Sequence, residues 1–138
     1  MELFQQIQQI NKQNQKQGII VTNSGDGFPH LSPAVVHFSE ARNRFVSTVG
    51  VKSEIRKNLI TSQKGSLCIG DQFALPKASL AGTFEVLSFS KAAAAEFELT
   101  NTAEVQKQFP NQEDRVVLVM ETHHISINRT GMLEQIDV

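Results

Sequence analysis

The sequence is poor in the features that mark several common classes of protein. It contains one cysteine, Cys68, so no disulfide can form within a chain, and this fits a reducing compartment. No segment approaches the about 18 consecutive apolar residues of a membrane-spanning helix, and the N-terminus lacks the apolar core of a signal peptide. We therefore expect a soluble, cytoplasmic protein.

The net charge is small, and two of the three aromatic residue types are absent. The 13 cationic and 14 anionic side chains nearly balance, which argues against a general nucleic-acid surface, because such a surface needs a basic excess. Tryptophan and tyrosine are absent, and no amino-acid side chain absorbs visible light, so visible absorption by the pure protein would come from a ligand. With 138 residues, 40% of them hydrophobic, the chain is predicted to form one domain over residues 1–138.

Catalytic and metal-binding motifs are missing. The neighbours His123 and His124 point to opposite faces of a strand, as do His30 and His37, and no HxH or CxxC spacing occurs, so we predict no metal site. Cys68 lies in an apolar run and is interpreted as a small buried side chain. If the protein is an enzyme, we expect a cofactor to carry its chemistry.

The chain begins with a predicted amphipathic helix in residues 1–17, which packs on the domain and ends at Gly18. Its apolar positions are Leu3, Phe4, Ile7 and Ile10.

Six predicted strands follow, and the first three are joined by turns alone. A short helix over residues 53–62 would have Ile55, Leu59 and Ile60 on its apolar side. Two more helices are predicted, one capped by Ser90 and one over residues 102–109. This pattern favours a mainly β fold, an antiparallel barrel with helical decorations, over a parallel βαβ arrangement. The strands are "GIIVTN", "FPHLSPAVVHF", "RFVSTV", "GSLCIGD", "ASLAGTFEVLSF" and "RVVLVMETHHISIN".

The second strand contains Pro33, which has no N–H to donate to a neighbouring strand. The strand is therefore predicted to be kinked or partly unpaired there, with backbone groups of "HLSPA" free to meet another molecule.

The stretch "STVGVKSEIRKNL" has the composition of an anion site. If Ser53 is the N-cap of the short helix, the first helical amides and the positive end of the helix dipole point outward. Ser47 and Thr48 alternate at the end of a strand, so one hydroxyl faces inward and the other outward. A solvated helix with ordinary surface cations is the alternative. The cations near the cap are Lys52, Arg56 and Lys57.

Four stretches in this order resemble the pyridoxamine-phosphate-oxidase-like, FMN-binding split-barrel family. The family shows a "dG.Ph.sPv" strand, a threonine ending the third strand, a basic "S.K..NL"-like helix start and a later "l.G.aev" strand. Where many relatives carry lysine, this chain has Ile55, and it lacks the long C-terminal extension of true pyridoxamine-phosphate oxidases. The matching stretches are "GIIVTNSGDGFPHLSPAVVHF", "RFVSTVGVKSEIRKNL", "GSLCIGD" and "LAGTFEVLSF".

The resemblance implies a six-stranded antiparallel split β-barrel, usually a homodimer, with FMN bound at the subunit interface. Next to the isoalloxazine ring it places His30, Leu31, Ser32 and Pro33. Toward the ribityl-phosphate end it places Ser47, Thr48, Lys52, Ser53, Arg56, Lys57 and Asn58.

The function that the resemblance implies is that of a small flavin-dependent oxidoreductase. A non-catalytic flavin carrier or sensor is the alternative, together with a relative that binds deazaflavin or haem. The substrate has no signature in the sequence.

Overall fold

In a computed structural model of the chain, the described residues are 2–40, 42–70, 76–95, 103–129 and 132–138, and most of them lie in one antiparallel sheet. The helices are α1 (Glu2–Gln13), α2 (Glu54–Thr61), α3 (Phe89–Ala94) and α4 (Ala103–Gln108), with a 3-10 turn at Gln112–Asp114. The strands are β1 (Gln17–Asn23), β2 (Pro29–Val35), β3 (His37–Ser39), β4 (Arg44–Gly50), β5 (Lys64–Ile69), β6 (Lys77–Ser88), β7 (Arg115–Arg129) and β8 (Met132–Asp137).

The sheet closes on itself because one stretch of chain takes part at both of its ends. The strand order is β2-β1-β5-β6-β7-β4-β3, and β8 pairs with β7. Only Val36 separates β2 from β3, and its backbone N–H donates to the carbonyl of Lys16 at 2.7 Å. This interrupted strand joins the two ends of the sheet, so the predicted antiparallel split barrel is confirmed.

The six predicted strands are all present, with β2 and β3 together forming the predicted second strand. The strand β8 was not predicted. Its side chains from Leu133 to Asp137 are mostly exposed, so it has no alternating apolar pattern that would mark it in the sequence.

Large aliphatic side chains from neighbouring strands fill the barrel. Helix α1 packs against it, with Ile7 fully buried and Ile10 only 4% exposed. A smaller cluster joins Phe89 and Ala92 of α3 to Val117 of β7. None of the helices that the structure describes is long and apolar enough to cross a membrane.

The end of α1 differs from the prediction. The helix ends at Gln13, and the chain turns through Gln15 and Lys16, whose φ angles are 58° and 59°. Gly18 is therefore not a helix stop but a residue of β1. A Cβ atom at this position would lie 2.9 Å from the carbonyl oxygen of Cys68, so the close approach of β5 explains the glycine.

Three further expectations were wrong. Ile60 is 60% exposed, and Asn58 takes its place on the buried side of α2. Ser88, not Ser90, caps α3, because its Oγ accepts from the N–H of Lys91. Cys68 is exposed rather than buried, and partial desolvation raises the pKa of its thiol. The predicted continuation of α3 over residues 96–100 lies outside the described residues.

Candidate ligand-binding site

An open pocket of about 930 Å³ lies beside the split in the barrel. One wall is β2, at Ser32 and Pro33, and the wall opposite is the end of β4, at Thr48 and Gly50. Ser53, at the start of α2, borders the same space. A volume of this size can hold a ligand as large as an organic cofactor, since such pockets measure about 300–1,000 Å³.

Two segments that are distant in sequence complete the pocket. The junction between α1 and β1 contributes Gln13, Gln15 and Gln17, and the end of α4 contributes Gln108 and Phe109. All the lining residues in the described part of the chain are uncharged. The lining thus offers hydrogen-bond donors and acceptors without a fixed charge.

The start of α2 has the predicted cap. Ser53 has extended backbone angles, φ −69° and ψ 152°, and its Oγ accepts from the N–H of Arg56 at 3.3 Å. Its own N–H donates to the carbonyl of Gly50 at 3.1 Å, which ties the helix start to the end of β4. Because the first amides of a helix lack partners within the helix, this end favours a negatively charged group.

The hydroxyls of Ser47 and Thr48 lie on opposite faces of β4. Ser47 is 3% exposed, and its Oγ donates to the carbonyl of Val35 at 2.8 Å, which bridges β4 and β2. Thr48 lines the pocket. The structure therefore gives Ser47 a bond within the barrel and leaves Thr48 beside the ligand space.

The three cations near the cap occupy different environments. Lys57 is exposed and pairs with Glu54 at 3.4 Å, and Lys52 is exposed next to the cap. Arg56 is half-buried, and its Nε is buried without a hydrogen-bond partner among the described residues. None of them lines the pocket, whereas the apolar Ile55 does.

Asn58 fastens α2 to the sheet. Its side chain is 7% exposed, and its Nδ2 donates to Oγ1 of Thr22 at 3.0 Å. Thr22 lies in β1 and is 1% exposed, so this bond is shielded from water. The contact therefore gives Asn58 a role in holding α2 against β1.

The first half of the "HLSP" stretch lies away from the pocket. Leu31 is 61% exposed, and His30 is half-buried, with its Nδ1 buried and unpartnered among the described residues. Ser32 and Pro33 line the pocket, together with Ala34. The break at Val36 brings this end of β2 next to β4, which explains the difference between the two halves.

Sequence reasoning missed Phe109 and the glutamines of the pocket. A Cβ atom at Gly50 would lie 2.8 Å from Cε1 of Phe109, so the ring sits directly on the glycine. The buried guanidinium of Arg115 holds this segment through an Nε–H bond to the carbonyl of Phe109, at 2.7 Å. The signal in the sequence was slight, because these residues meet only when α4 folds over the end of β4.

The histidines remain apart from one another. His123 Nε2 lies 3.4 Å from Oγ1 of Thr83, and His124 Nδ1 lies 2.7 Å from the carboxylate of Asp137. Within the described ranges, no group of three or more His, Cys, Asp or Glu side chains is arranged to hold a metal ion.

An antiparallel split barrel with an uncharged pocket at its open edge defines the structural class of the chain. No protein-family model matches the chain, and no curated protein matches it by sequence. Solved structures do match. The chain is similar to General Stress Protein 26 from Bacillus anthracis, with 14% identity, a TM-score of 0.77 and coverage of 100% of both chains.

Two other solved structures carry names that refer to ligands. A pyridoxamine 5'-phosphate oxidase-related, FMN binding protein from Nostoc punctiforme is 12% identical, with a TM-score of 0.72 over 97% of this chain and 95% of that chain. A heme binding protein from Mycobacterium smegmatis is 20% identical, with a TM-score of 0.70 over 88% of this chain and 52% of that chain. The chain thus spans about half the length of the latter protein. The fold is that of the pyridoxamine-phosphate-oxidase-like split barrels, as the resemblance implied.

Proposed function

We propose that the protein binds FMN in the pocket and acts as a small flavin-dependent oxidoreductase of the pyridoxamine-phosphate-oxidase-like family. The observation that carries the proposal is the pocket itself, which lies between β2, β4 and the capped start of α2 in a fold shared with a named FMN-binding protein. A cytoplasmic location belongs to the same proposal.

The donors at the start of α2 suit the phosphate of FMN. Ser53 borders the pocket, and the first amides of an α-helix attract anions. Because Ile55 supplies no charge and Lys57 pairs with Glu54, Lys52 and Arg56 are left as cations for the phosphate, and we propose Arg56, one turn after Ser53.

The uncharged walls suit the rest of FMN. Ser32 and Pro33 of β2 would lie beside the isoalloxazine ring, and Thr48 beside the ribityl chain. Bound FMN would supply hydride or electron transfer, while the chain binds it, orients it and restricts the access of water. No acid–base residue of this chain is needed for that role.

A homodimer is part of the proposal. In the described sheet β2 is an edge strand; Leu31 within it is 61% exposed, and Phe28 just before it is 71% exposed. Exposed apolar side chains on an edge strand favour association with another copy. A second copy seated on β2 would also cover the neighbouring pocket.

The visible spectrum of the purified protein tests the proposal. We expect flavin absorption bands, or a higher unfolding temperature and quenched flavin fluorescence when FMN is added to the colourless protein. A colourless protein that neither binds added FMN nor gains thermal stability from it would overturn the proposal. Reduction of the bound flavin by a reduced nicotinamide, with turnover, would then separate an oxidoreductase from a carrier or sensor.

Haem is the second candidate, because one neighbour is named as a heme binding protein. Protein ligands of haem iron are commonly His, Cys or Met side chains. Of the lining residues that the structure describes, none is of these types, so the observations favour a flavin. A Soret band in place of flavin bands, from protein purified with its own ligand, would reverse this order.

A further inference from the structure

The junction between α1 and β1 has an unusual backbone. Gln15 and Lys16 are consecutive residues with φ angles of 58° and 59°, in the left-handed region that favours glycine. Two such residues in succession are unfavourable for ordinary side chains, and they persist only where the surrounding structure holds them. This junction forms one wall of the pocket.

Several hydrogen bonds hold the junction in place. The N–H of Lys16 donates to the carbonyl of Asn11 at 2.7 Å, and the N–H of Val36 donates to the carbonyl of Lys16 at 2.7 Å. Asn11 is 3% exposed, and its Nδ2 donates to the carbonyl of Val36 at 2.9 Å. These bonds tie α1 to the break between β2 and β3, which fixes the backbone of the turn.

Glycine would adopt these angles without steric conflict, yet both positions carry long side chains. For Lys16 the structure shows a contact within the protein, since its Nζ lies 3.3 Å from Nδ1 of His37. Gln15 is exposed, and it lines the pocket beside Gln13 and Gln17. Gln15 therefore combines the unfavourable backbone with a place in the pocket lining.

We propose that Gln15 is a ligand-contacting residue of the pocket and that its carboxamide recognises an uncharged, planar group with both hydrogen-bond donors and acceptors. This inference rests on the proposed function, in which that group is the pyrimidinedione edge of the flavin. A carboxamide presents one acceptor and two N–H donors, so it can pair with an imide N–H and an adjacent carbonyl. In the proposed function the phosphate of FMN lies at the start of α2. The neutral edge of the flavin ring is then left for the side of the pocket formed by Gln13, Gln15 and Gln17.

The test compares FMN binding to the full-length protein and to three variants by quenching of flavin fluorescence. Gln15→Gly removes the carboxamide and relieves the backbone, whereas Gln15→Ala removes the carboxamide and keeps the unfavourable φ. We expect both to weaken FMN binding by roughly three- to tenfold, the effect of a lost hydrogen bond. Thermal unfolding without ligand should show an unchanged or higher midpoint for Gln15→Gly.

Lys16→Gly is the matched control. It removes the unfavourable φ of the residue next to Gln15, and Lys16 is not among the residues that line the pocket. It should bind FMN as the unmodified protein does. If both Gln15 variants bind FMN as tightly as the unmodified protein, the role of Gln15 is overturned while the proposed function stands. If the unmodified protein binds no FMN, the proposed function is overturned, and this inference with it. An equal loss in Lys16→Gly would also overturn the inference, since it would trace the effect to the backbone.

Discussion

At the scale of single residues, the candidate site depends on which polar groups have partners within the chain. Asn58 and Thr22 satisfy each other in the interior, and Lys57 is engaged by Glu54 at the surface. The Nε of Arg56 is buried and has no partner among the described residues, so this nitrogen is not committed to an acceptor within that part of the chain. The pairing state therefore separates residues that position α2 from those available to a ligand.

Replacing Arg56 by alanine is expected to weaken FMN binding by about 1.5–3 kcal/mol, roughly tenfold or more, because a charge-assisted bond to the phosphate is lost. Lys57→Ala, one residue further and exposed, is the matched control and should change FMN affinity little. Titration of FMN fluorescence with each variant measures both effects. Riboflavin lacks the phosphate, so its affinity should be nearly equal in the two variants. Equal FMN affinities would show that Arg56 is not the phosphate cation.

The buried bond of Asn58 gives a second residue-scale prediction. Asn58→Ala leaves the hydroxyl of Thr22 without its partner in a site that is 1% exposed, so the free energy of unfolding should fall by about 1–3 kcal/mol. Urea denaturation measures this change. Ile60→Ala, on the exposed side of the same helix, should stay within about 0.5 kcal/mol of the unmodified protein. Similar losses in both variants would contradict the assigned role of Asn58.

Roles that depend only on neighbours in the sequence, such as helix capping, could be predicted. Roles that depend on contacts with distant segments could not. Ser53 was recognised as a cap because capping is decided within four residues, although the same reasoning placed the cap of α3 at Ser90 instead of Ser88. Gln15 and Phe109 were missed because their place in the pocket depends on how α1 and α4 fold over the barrel. Ile60 was misassigned because helical periodicity does not reveal which flank of an apolar stripe meets the sheet.

At the scale of elements, two helices of this chain begin with the same capping chemistry in different surroundings. Ser53 accepts from Arg56 N–H at 3.3 Å at the start of α2, and Ser88 accepts from Lys91 N–H at 3.2 Å at the start of α3. Only the cap of α2 borders the pocket in the described structure. The two caps therefore allow helix stability to be separated from ligand binding.

Ser53→Ala and Ser88→Ala should each lower the free energy of unfolding by about 1 kcal/mol, the usual effect of a lost cap. Only Ser53→Ala should also weaken FMN binding, because its hydroxyl lies beside the proposed phosphate. Thermal or urea unfolding without ligand, followed by FMN titration of the same samples, provides both measurements. A parallel loss of affinity in Ser88→Ala would show that the effect reflects general stability and not the phosphate position.

At the scale of the whole molecule, the antiparallel barrel followed from strand lengths and turns, because consecutive strands joined by short turns pair with each other. Pro33 was expected to disturb the second strand. In the structure Pro33 is paired with Ile19 of β1, and the interruption lies three residues later, at Val36, where the pairing partner changes from β1 to β4. β1 pairs with β5, and β4 pairs with β7, so strands distant in the sequence become neighbours. The local sequence pattern of a strand does not show which distant strand it pairs with.

The proposed homodimer can be tested by substitution at β2. If two copies associate through the exposed face of β2, Leu31→Lys should place a charge in that contact and convert the dimer to a monomer. Sedimentation velocity of the FMN-loaded protein measures the mass, and FMN affinity should fall with it, because the second copy covers the pocket. Leu133→Lys on β8 is the matched control, since Leu133 is equally exposed at 61% on a different strand. A dimer that survives Leu31→Lys and dissociates in Leu133→Lys would move the interface from β2 to β8.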